Sequence, residues 1–86
     1  MNIYKISQDI NKDYDTFDSA IVAAANENDA RNIHPFRSVT NPEKWDTYCE
    51  LWVTKDQIHL LKVELIGKTI DENCPAGVIL ASYNAG

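Results

Sequence analysis

The stretch FDSAIVAAANEND, residues 17–29, decides how this chain is read. From Ser19 to Ala25 it joins Ile21 and Val22 to small side chains, with no charge to interrupt the run. β-Branched residues favour a pleated backbone, and a run that is apolar on both faces suits a strand in the middle of a sheet. At Asn26 the pattern changes. Asn is a preferred helix N-cap, and Glu27 and Asp29 fall in the first turn, where the positive end of the helix dipole favours carboxylates. The spacing predicts a helix from Glu27 to about Ile33, stopped by Pro35.

The rest of the chain is read outward from that strand and helix. Residues 2–8, with Ile3, Tyr4 and Ile6, read as a first strand, joined to the second through DINKDYDTFD (9–18) as an antiparallel hairpin. Downstream, Asn41-Pro42-Glu43 repeats the helix-start signal and predicts one or two turns. In YCELWV (48–53), alternation puts Cys49, Leu51 and Val53 on one face of a strand and Tyr48, Glu50 and Trp52 on the other. A turn at TKDQ (54–57) leads to a strand in LLKVELIG (60–67), a loop in KTIDENCPAG (68–77) and a last strand in VILASYNA (78–85). The expected architecture is one α+β domain over residues 1–86. A mostly antiparallel sheet, in the order ββα, helical turn, βββ, carries one main helix on one face, which contributes Ala30 and Ile33.

Composition limits what such a domain does. A chain of 86 residues buries only about 60 to 65 per cent of its unfolded surface, which leaves no room for a cleft between lobes. Thirteen acids against eight bases give a net charge of −5, and the bases are scattered from Lys5 to Lys68. Direct binding of nucleic acid, which needs clustered Lys and Arg, is not expected, and basic partners fit better. No apolar run approaches the roughly 18 residues of a membrane span, and MNIYKISQ lacks the form of a signal peptide, so the cytoplasm is the expected compartment, with no membrane partner.

The acidic segment fails the calcium-loop template. Counted from Asp9, Asn11 and Asp13 fall on ligand positions, but Tyr14 stands where the turn needs Gly and Ala20 where it needs Glu. Cys49 and Cys74 have neither CxxC spacing nor a nearby His pair, so no metal site or cofactor is signalled. His34 reads as a group at a helix C-terminus and Cys49 as a buried small hydrophobe, although a Cys49–His34 hydrolase remains the reading to exclude. No phosphate-cradling or nucleophile-elbow motif occurs.

What remains is surface. Asp13, Asp15 and Asp18 alternate with Tyr14 and Phe17, while Tyr48, Glu50 and Trp52 share the second face of the predicted third strand. Rings beside carboxylates suit contact with a basic protein surface. Tyr48 and Trp52 are open to a second reading, as the cover of a small core under residues 36–47.

The segments IYKISQ, YDTFDSAIVAAANENDARNIHP, KVELIGKT and GVILASYNAG resemble a group of short, mostly uncharacterised proteins of bacteriophages and prophages, over about two-thirds of the chain. Those proteins are similar in layout to small anti-CRISPR proteins. The resemblance implies a non-enzymatic protein that binds stoichiometrically to a host protein or complex with a basic surface and inhibits a host defence nuclease, in the host cytoplasm. The alternative expectation is a small-ligand-binding homo-oligomer, at its simplest a homodimer, with its pocket between subunits.

Overall fold

The computed structural model describes residues 1–10, 16–36, 45, 51–69 and 75–84. Among these, strands β1 (Asn2–Ser7), β2 (Thr16–Ala24), β3 (Lys62–Lys68) and β4 (Gly77–Asn84) form one antiparallel sheet in the order β3-β1-β2-β4. The fold is α+β. β1 and β2 pair in an unbroken register from Asn2↔Ala24 to Ser7↔Ser19, which is the expected hairpin, and both are central. β3 and β4 form the two edges.

Period-2 alternation sorts the sheet into two faces. Tyr4, Ile6, Ala20, Val22 and Ala24 point to one side and are buried in a single cluster with Ala30, Trp45, Trp52, Val53 and Leu61. Complete burial of Ile6, Val22 and Val53 stabilises the fold by roughly 1.5–3 kcal/mol for each side chain. On the other side lie Ile3, Lys5 and Ser7 of β1 opposite Ala23, Ile21 and Ser19 of β2. That face is polar and charged toward β3 and apolar toward β4.

Helix α1 (Glu27–Arg31) starts as its sequence predicts. Asn26 Oδ1 accepts the Asp29 N–H at 2.8 Å, and Glu27 and Asp29 occupy the first turn. The helix stops two residues before the expected end, where Asn32 donates through its backbone N–H to the carbonyls of Ala30 and Asp29 and through Nδ2 to Asn28 O at 2.8 Å. Ala30 is fully buried in the core as expected, and Ile33 packs against that core from beyond the helix end rather than from the helix itself.

Two expectations for the middle of the chain need correction. Leu51–Val53 is not strand, and Trp52 and Val53 are both buried, so the predicted alternation of faces fails there. The turn expected at residues 54–57 opens a 3-10 helix, Lys55–Leu60, in which Gln57 Oε1 accepts the Thr54 N–H at 3.1 Å. Arg31 joins this element to α1. Its Nη1 donates to the carbonyls of Ile58, His59 and Leu61 at 3.2, 3.3 and 2.6 Å, and its Nη2 meets Glu27 Oε1 at 2.9 Å. One guanidinium thereby satisfies the exposed end of the 3-10 helix and fixes it beside α1. The helical turn expected after Asn41 lies outside the described residues.

Candidate interaction surface

The acidic segment is carried at the end of the β1–β2 hairpin, and its flanks are held by one side chain. Gln8 donates its backbone N–H to Asp18 O at 3.1 Å and its Nε2 to Phe17 O at 3.0 Å, while its Oε1 accepts the Ile10 N–H at 2.8 Å. Three bonds from one residue fix where the chain leaves β1 and enters β2. Gln8 was not singled out by sequence reasoning. A glutamine two residues before an Asx-rich turn is a weak signal, because its partners are backbone groups that come near only when the hairpin forms.

Asp18 is exposed because the register shifts around it. Phe17 pairs with Tyr83 and Ser19 with Ser82, so Asp18 has no counterpart on β4. A bulge of this kind re-aims the extra residue, and here it turns a carboxylate outward at the hairpin end, where Asp9 is also exposed. Phe17 is half-buried. Its ring packs against the core and its N–H donates to Leu51 O at 2.8 Å, so it supports the hairpin end and offers only part of its surface. Asp13, Tyr14 and Asp15 lie outside the described residues, as do Tyr48 and Glu50.

Trp52 is not surface. It is 0 % exposed and belongs to the main core cluster with Tyr4, Ile6 and Val22, which removes it from any contact surface. It does not cover a separate small core either. Trp45 is buried in the same cluster and donates Nε1–H to Val53 O at 2.9 Å. Both tryptophans therefore extend one core with their large apolar area, and Trp45 does so with its N–H bonded to an acceptor.

His34 is also placed differently from its sequence reading. It lies beyond the helix end, and the capping role falls to Asn32. The ring is 4 % exposed and stands edge-on to Trp45, with centroids 4.8 Å apart and planes at 77°. Its Nδ1 accepts the Phe36 N–H at 3.0 Å, which fixes the neutral tautomer with the proton on Nε2. Burial pushes its pKa down from 6.5 to about 4. The other possible members of a nucleophilic pair are apart from this arrangement: His59 is exposed, and Cys49 lies outside the described residues.

On β3, Lys62 Nζ meets Glu64 Oε1 at 3.0 Å. The hydrogen bond and charge of Lys62, with Lys5 adding, hold the Glu64 carboxyl below its ordinary range. Among the described residues, no three His, Cys, Asp or Glu side chains are grouped so that they could hold a metal ion, and no helix is long and apolar enough to cross a membrane. Compared with known proteins, the chain matches no family model, and no curated protein or solved structure is significantly similar to it.

Proposed function

We propose that the protein is a non-enzymatic, stoichiometric binder of phage type that acts in the host cytoplasm and inhibits a defence nuclease complex of the CRISPR-Cas kind. Its contact surface in this reading is the hairpin end, with Asp13, Asp15 and Asp18 as charges and Tyr14 and Phe17 as ring area; Tyr48 and Glu50 extend it, and Trp52 is left out. The α1 helix over the buried face serves as the main helical support of the sheet. The observation that carries the reading is Asp18, a carboxylate turned outward by a bulge on a central strand whose end is fixed by Gln8. An exposed Asp18 carboxylate on a fixed strand end, in a chain of net charge −5, suits a basic protein surface, for which it supplies both steering and a paired contact.

The test is retention of host proteins from a nuclease-treated bacterial lysate by the tagged chain, compared with the combined Asp13→Asn, Asp15→Asn and Asp18→Asn variant. One stoichiometric host protein or complex with a basic channel is expected, lost at high salt and weakened in the variant while the variant stays folded. Equal retention by both proteins would remove the acidic surface from the reading.

A second reading, a small-ligand-binding homo-oligomer, is favoured by a shallow groove of about 290 Å³ along β2 and β4, lined by Ser19, Ile21, Leu80 and Ser82 among others. A metabolite that co-purifies with an oligomer would support it, and a ligand-free monomer would remove it.

A further inference from the structure

We draw no further inference here: the strongest candidate, the shallow apolar groove along β2 and β4 in which exposed Leu80 stands beside Ile21, carries nothing because nothing among the described residues shows what covers it.

Discussion

Acidification should destabilise this protein through one side chain, His34. Its folded-state pKa of about 4 lies below the ordinary 6.5, so between these values the unfolded chain binds a proton that the folded chain refuses. The contribution of His34 is therefore flat above about pH 6.5, falls as the pH drops through the window, and levels off below about 4. A shift of this size is worth about 3 kcal/mol in full, of which about 2 kcal/mol is lost between about pH 7 and pH 5. The physical reason is geometric as well as dielectric. Protonation would put a hydrogen on Nδ1, where the Phe36 N–H already points at 3.0 Å, and a charge in a ring that packs edge-on to Trp45.

The assay is urea denaturation at a series of pH values, for wild type and for His34→Asn. Asn supplies an oxygen near the position of Nδ1 to accept the Phe36 N–H, but it does not titrate. The variant is expected to be less stable near neutral pH, because it loses ring packing, yet to lack the slope between about pH 6.5 and 5. Equal slopes in the two proteins would refute the reasoning. So would a nuclear magnetic resonance titration that found the His34 ring protonating near 6.5 in the folded protein.

Two further effects follow from the same contacts. Arg31→Ala should cost about 2–3 kcal/mol in chemical denaturation, because three carbonyls of one turn lose a charged donor, and Arg31→Lys should recover only part of it, since one ammonium can take the place of Nη1 at the carbonyls but cannot also reach Glu27 as Nη2 does. Full recovery with Lys would show that charge alone matters. Asn26→Ala should cost about 1 kcal/mol by loss of the α1 cap, with Asn26→Asp or Asn26→Ser close to wild type in thermal melts; an equal loss in all three would point to strain elsewhere.

Local features of the chain were legible because they depend on neighbours in sequence. The β1–β2 hairpin, the Asn26 cap and the strands at residues 62–68 and 77–84 each follow from period-2 patterning or cap chemistry within a few residues. The middle segment was misread for a related reason. Alternation in YCELWV is compatible with a strand, but Trp52 and Val53 are both buried, and local period says nothing about a core that closes over the backbone from both sides. The run after it, TKDQIHL, has no strong helix period, and its 3-10 turns are stabilised by Gln57 locally and by Arg31 from 27 to 30 positions away. At the candidate surface, the sequence marked Asp18 and the rings as a group, and the structure separates exposed Asp18 from half-buried Phe17 and buried Trp52.

Read alone, the sequence showed that a central apolar strand is followed by a capped helix, that acids cluster between the first two strands, and that the bases are scattered along the chain. Those are properties of composition and of neighbours within one turn or one pleat. Only the tertiary structure decided the strand order β3-β1-β2-β4, which leaves a charged edge and a neutral one, and the bulge that turns Asp18 outward. It also decided the burial of His34 and Trp52. Edge, register and burial depend on which distant segments pack together, and that is settled by the shared core rather than by any single stretch of the chain.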